Sequence, residues 1–186
     1  MNWIRQLPQQ NQTQVEYNDE FYRSRLRALQ AVDELVEIIV ERLQDYGILD
    51  NTYLIYTSDN GYHIGQHRLP PGKECGYEED VNVPLIIRGP GIPSGAATDQ
   101  VTSHTDLVPT IFNLLGLEAR DDFDGAAVPL TNYDLNEVRH TRHEHITLEY
   151  WGFALAEGKY GFQESSGSDS RGNFPSCRRK SQSRLK

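Results

Sequence analysis

Sulfur is scarce in this sequence: among 186 residues there are two cysteines and one methionine. Cys75 lies in Lys73-Glu74-Cys75-Gly76 and Cys177 in Ser176-Cys177-Arg178-Arg179, unlike contexts that supply no disulfide framework and leave the redox compartment open. Long apolar runs are also missing. A hydrophobic fraction of 37% and a mean hydropathy of -0.63 exclude a membrane-spanning helix and a membrane partner. The first residues, Met1 to Pro8, lack the apolar stretch of a secretory leader, and the lone sequon Asn11-Gln12-Thr13 is too short a motif to fix a compartment, so localisation is unknown. Positive charge is short as well. The net charge is -9, and since residues 164–186 carry six basic residues against two acids, a net of +4, the preceding 163 residues carry -13. An acidic body of this kind excludes nucleic acid as the expected partner. Oligomeric state is left open.

What is present centres on Thr57-Ser58-Asp59-Asn60-Gly61-Tyr62-His63-Ile64-Gly65-Gln66-His67, followed by Pro71-Gly72-Lys73 and Tyr77-Glu78-Glu79-Asp80. The strand formers Thr52 to Thr57 run directly into a carboxylate, an amide and a glycine, so two hard oxygen donors stand where a strand ends and a loop begins. In an open α/β sheet the carboxyl end of a parallel strand is where ligands bind. Asp59 and Asn60 suit Ca²⁺ or Mg²⁺, while Lys73 offers a fixed positive charge and His63 and His67 two imidazoles. Together they suit an anionic ester. A tight turn at Asp-Asn-Gly is the competing reading.

Before this stretch, residues 1–18 read as loop. From about Asp19 to Tyr46 the apolar residues Leu29, Val32, Val36, Ile39, Val40 and Leu43 form a helical stripe that Gly47 stops at the C′ position. A helix laid on a sheet is expected from it. After the stretch, Val83 to Ile87 reads as a strand covered on both faces, ended by Gly89-Pro90-Gly91. Thr105 to Gly116 reads as a second helix, with Pro109 tolerable near its first turn. His104 and Asp106 ahead of it are either an acid/base pair or a cap beside a loop histidine, the cap being favoured. The cluster His140-Thr141-Arg142-His143-Glu144-His145 looks metal-like by count but has no fourth ligand at a suitable spacing, and it reads as the solvated entry to a strand at Ile146 to Trp151. Residues 164–186, with seven serines and six basic residues, read as a disordered tail.

Taken as one string, Ser58 to His63, Gly65-Gln66-His67, Gly72-Lys73, Tyr77 to Asp80 and Val83 to Gly91 resemble the sulfatase family of the alkaline-phosphatase-like superfamily, and within it fungal and algal arylsulfatases and glucosamine sulfatases. The resemblance runs from about Tyr22 to Lys159. It implies an α/β fold, here a partial layered sheet with flanking helices, incomplete on its N-terminal side. Residues 19–135 would be the C-terminal part of a catalytic domain and 136–163 the start of a smaller subdomain. It also implies that Asp59 and Asn60 bind the active-site cation, that Lys73 contacts the sulfate, and that His63 and His67 act in catalysis or only line and support the pocket.

The expected activity is hydrolysis of a sulfate ester, on a small molecule or a sulfated glycan. The family's nucleophile is a formylglycine made from the cysteine of a Cys-x-Pro-x-Arg or Cys-x-Ala-x-Arg motif. Neither cysteine of this chain stands in such a motif. The expectation is therefore a fragment inactive by itself, its full-length relatives commonly entering the secretory route. Hydrolysis of phosphate or phosphonate esters on a similar site, or a non-catalytic interaction module, are the alternatives.

Overall fold

The computed structural model describes residues 4–73, 75–131, 134, 146–148 and 160. The histidine cluster at 140–145, the 164–186 tail and all of 136–163 other than 146–148 and 160 lie outside the described residues. Among the described residues, three α-helices and two strands follow in the order α1 (Gln12–Asp45), β1 (Leu54–Thr57), α2 (Glu78–Val81), β2 (Leu85–Arg88) and α3 (Leu107–Leu114). No described helix is long and apolar enough to cross a membrane.

Helix α1 begins at Gln12, ahead of the position its apolar stripe indicates, and this corrects the reading of residues 1–18 as loop. The cause is local. Asn11 accepts from the Gln14 amide at 2.9 Å while the Gln14 side chain accepts from the Asn11 amide at 3.0 Å, a reciprocal cap that satisfies two otherwise orphaned donors. At the other end Tyr46 closes the helix and Gly47 turns away at φ +66°, a conformation that glycine adopts without a Cβ clash.

The chain divides into two compact units, one of Met1–Tyr46, Tyr56–Ile86 and Glu149–Lys186, the other of Gly47–Ile55 and Ile87–Leu148. In the first, the helix stripe is only partly covered. Leu26, Leu29, Val32 and Val36 border a groove with Tyr56 and Ile86, and the buried residue of α1 is Asn18 rather than any member of the stripe. The small apolar cluster of this unit is Leu7, Leu69 and Cys75, with Tyr77 packed against it.

β1 and β2 pair as a two-stranded sheet. They run antiparallel: Arg88, at the end of β2, donates to the Leu49 carbonyl at 2.9 Å and meets Asp50 at 3.6 Å, both ahead of β1. The expectation of a parallel strand at the site is corrected accordingly. So is the expectation that Val83 to Ile87 is covered on both faces, because burial alternates along β2 and Ile86 is 62% exposed. A strand with one covered face shows just this period of two.

In the second unit, α3 follows a helical turn at His104–Asp106, and Pro109 falls in its first turn, where no intrahelical donor is lost. Thr110 is the buried hub here: its hydroxyl donates to the Asp106 carbonyl at 2.6 Å and accepts from the Val128 amide at 2.8 Å. The Asp106 carboxylate accepts from the Ser103 amide at 2.8 Å and the Ala126 amide at 3.0 Å. It is a cap, as favoured, and its oxygens are committed to backbone.

Ile38 at 56%, Leu35 at 55% and Ile86 at 62% exposed leave apolar side chains of α1 and β2 in water, the kind of surface that drives association. Purified alone, the chain is expected to self-associate with rising concentration in sedimentation velocity. A monodisperse monomer with a sharp cooperative melt would contradict this.

Candidate active site

The site is built where β1 runs out. Ser58 Oγ donates to the Asn60 carbonyl at 3.0 Å and to Asp59 Oδ1 at 3.4 Å, so the turn after the strand is held by its own side chains. The Asn60 amide nitrogen donates to the Gly61 carbonyl at 2.6 Å, which fixes the amide plane and leaves Oδ1 to accept from Lys73 Nζ at 3.4 Å. Asp59 and Lys73 are exposed, Asn60 half-buried. An amide oxygen and an ammonium group thus meet just past the end of β1, with Asp59 the preceding residue in the chain.

Backbone contacts explain why a lysine thirteen residues away arrives there. The Gly61 amide donates to the Asp80 carbonyl at 2.8 Å and the Tyr62 amide to the Glu79 carbonyl at 2.7 Å, tying the segment to α2. His63 and Gly72 then exchange both amide bonds, at 2.9 and 3.0 Å, as an antiparallel bridge, and Lys73 is the next residue along. Glycine at 61 is required by close approach, since a Cβ there would fall onto the Glu79 carbonyl. A free-standing Asp-Asn-Gly turn would make no such demand.

His63 is fully buried, with Nδ1 donating to Asp80 Oδ1 at 2.8 Å and lying 2.9 Å from Oδ2. It presents no surface to solvent in this chain, and its Nδ1 is spent on Asp80, whereas His67 lies open. Burial pushes the Asp80 carboxyl above the ordinary aspartate range, and His63 opposes that shift. His67 stays exposed. It stacks on Tyr77 with ring centroids 4.1 Å apart, its Nε2 is 3.3 Å from Glu79 Oε2, and its backbone sits at φ +57°. A backbone hydrogen bond, helped by His67, holds Glu79 below the ordinary glutamate range.

The loop carrying His67 is anchored from the other side. Gln10 Nε2 donates to the Gly65 carbonyl at 3.3 Å and the Leu69 carbonyl at 3.4 Å, and Arg68 donates to the Leu7 carbonyl at 2.7 Å. Phe21 of α1 stacks on Tyr62 at 5.7 Å, and Tyr17 meets Tyr160 edge-on at 5.5 Å. Asp80 and Cys75 escaped the sequence reading as site-building residues. Asp80 stands in a Glu-Glu-Asp run that looks like any solvated acidic turn, and its long-range partners are the Gly61 amide on its carbonyl and the His63 ring on its carboxylate.

Just past the end of β1, the structure thus brings the Lys73 ammonium onto the Asn60 amide oxygen. Comparison with known proteins identifies the family. A family model described as Sulfatase matches residues 4–117. "Sulfatase ppz1" of Metarhizium majus (strain ARSEF 297) is 54% identical over 149 residues, covering 80% of this chain and 35% of that protein. An arylsulfatase of Volvox carteri is 51% identical over 118 residues, covering 61% of this chain and 18% of that protein. Among solved structures, BT4656 in complex with its substrate D-glucosamine-2-N,6-O-disulfate superposes with a TM-score of 0.57 at 29% identity, covering 70% of this chain and 26% of that one. The chain belongs to the sulfatase family, and its fold is a part of the alkaline-phosphatase-like α/β fold. It spans about a third or less of the length of these relatives.

The buried pair should dominate local stability. Asp80→Ala leaves the buried His63 ring without its partner and is expected to cost about 1–3 kcal/mol. Because the folded pKa of Asp80 is raised, the native state binds more protons than the unfolded one between the ordinary aspartate pKa and the raised value, so this group's contribution falls as pH rises through that window. Denaturant titrations at several pH values should show Asp80→Asn flattening that slope. An unchanged slope would contradict the assignment.

Proposed function

We propose that this chain supplies the cation- and sulfate-holding part of a sulfuric ester hydrolase. The observation that carries this is the placement of Lys73 Nζ on Asn60 Oδ1 beside the exposed Asp59 carboxylate. The residues fit a hard cation: the donor set is all oxygen, and the Asn60 amide is locked with its oxygen outward by its bond to the Gly61 carbonyl. Asp59 and Asn60 would hold the ion, Ca²⁺ in preference to Mg²⁺. Bound there, such an ion draws charge from the ester's oxygens and so favours cleavage.

Lys73 binds and orients the sulfate group. Its ammonium is a compact charge with three donors, and with a cation bound its bond to Asn60 yields to non-bridging oxygens of the ester. His67, held by Tyr77 and Glu79, lines the approach to this end of the loop. His63 and Asp80 keep the strand end and the lysine segment in register. The substrate class is a sulfate ester of a small molecule or a sulfated sugar; the sulfated glucosamine bound by the solved relative supports the latter. The nucleophile is not among these residues, since neither Cys75 nor Cys177 stands in a formylglycine motif.

Calorimetric titration should therefore show one Ca²⁺ site per chain, weakened at least about tenfold by Asp59→Ala, the loss of one charged ligand. Sulfate binding in the presence of Ca²⁺ should weaken about tenfold to a hundredfold in Lys73→Ala, the scale of a hydrogen bond to a charged group. Ca²⁺ binding unchanged in Asp59→Ala would overturn the reading. The chain alone should not turn over an aryl sulfate above a heat-killed control, even with Ca²⁺ and a formylglycine-generating enzyme present. Turnover that vanishes in Lys73→Ala would show that the nucleophile lies within this chain after all.

A further inference from the structure

Three buried side chains of different chemistry converge behind the Asn60–Lys73 pair. One ligand atom each from His63, Cys75 and Asp80 lies within 4.8 Å of the other two, and all three residues are buried. We propose that they form a binding site for a thiophilic divalent cation of the zinc class. The proposal stands whether or not Asp59 and Asn60 hold a cation.

The donor set is the first argument. A thiolate, an imidazole and a carboxylate make a zinc site, not a calcium site, because sulfur and nitrogen are too soft for Ca²⁺. Geometry is the second. Zinc bonds of about 2.0–2.3 Å put tetrahedral ligand atoms roughly 3.3–3.8 Å apart, so contacts within 4.8 Å close by changes of no more than about 1.5 Å. His63 Nδ1 and Asp80 Oδ1 already stand 2.8 Å apart, so two of the donors are side by side, and the ion would take the place of the proton between them while the neutral imidazole carries its proton on Nε2.

Charge balance is the third. A dication with one thiolate, one carboxylate and one neutral imidazole sums to zero, the only total that a wall of Leu7, Leu69 and Tyr77 accepts cheaply. Binding expels the Cys75 thiol proton to solvent, so uptake strengthens with pH. Gly76, next to the thiol, is exposed, and local opening there gives the ion a way in. An ion seated here would join the segment after Asn60, the segment after Lys73 and α2. It would therefore act on the neighbouring pair without touching it.

The test uses the whole chain in a Cys177→Ser background with Ca²⁺ in excess, so that Cys75 is the one thiol. Cd²⁺ should produce a thiolate charge-transfer absorption saturating at one ion per chain, and Zn²⁺ should displace it. Cys75→Ser should abolish the band, and His63→Asn should weaken the affinity tenfold or more. A band absent at stoichiometric Cd²⁺, or an affinity unchanged in His63→Asn, overturns the site. Should His63→Asn fail to fold, X-ray absorption at the zinc edge of the folded Cys177→Ser protein decides. One sulfur with nitrogen or oxygen supports the site; a shell of nitrogen and oxygen alone places zinc elsewhere, such as the histidines at 140–145, and overturns it.

Discussion

Everything that makes this segment a site depends on the buried contact between His63 and Asp80. Asp80 presents two groups to the strand that leaves β1: its carbonyl takes the Gly61 amide, and its carboxylate takes the His63 ring. The same histidine, through its own backbone, grips Gly72. One residue pair therefore sets the distance between the segment bearing Asp59 and Asn60 and the segment bearing Lys73. Burying a carboxylate costs several kcal/mol unless it is paired, and the imidazole offsets that cost while spending its Nδ1 on Asp80. The loop then needs little else. Residues 64–68 include two non-glycine positions at positive φ, His67 and Arg68, a strain that persists only where flanking structure fixes both ends.

The catalytic proposal and the apolar surface have a common origin. Helix α1 carries a long stripe, yet its most buried residue is an asparagine, and β2 shows one face to solvent. The half of the first unit that is well packed is the half around the site, where Leu69 and His63 have no exposure. Local order at the strand end thus comes from polar locks and one small apolar cluster, not from a large core. The site can keep its shape although the stripe beside it is open to water.

Much of this was legible in the residues. Gly47 and Gly116 end helices, Pro109 falls in a first turn, and Thr52 to Thr57 contains a strand that delivers Asp59 and Asn60, all for reasons local to a few positions. The string from Ser58 to Gly91 carried the resemblance to the sulfatase family, which the family model and the relatives show. What could not be read were effects set at long range or by single side chains. The start of α1 depends on one reciprocal cap in a stretch whose glutamine and asparagine content looks like loop. The burial of Asp80 depends on amides from the far side of the loop, and the roles of His63 and His67 differ because one faces Asp80 and the other Tyr77. Sequence spacing places both histidines in one loop and cannot say which way each points.

The central claim is that the Asp80 contacts, rather than the turn chemistry of Asp-Asn-Gly, hold the site in place. Amide hydrogen exchange tests it most directly, residue by residue, by comparing the native chain with Asp80→Asn. The account predicts that Gly61, Tyr62, His63 and Gly72 are protected in the native protein and lose that protection together in the variant, while the amides of α3 are unchanged. Fast exchange at Gly61 and Tyr62 in the native protein, or protection that survives in the variant, would contradict it.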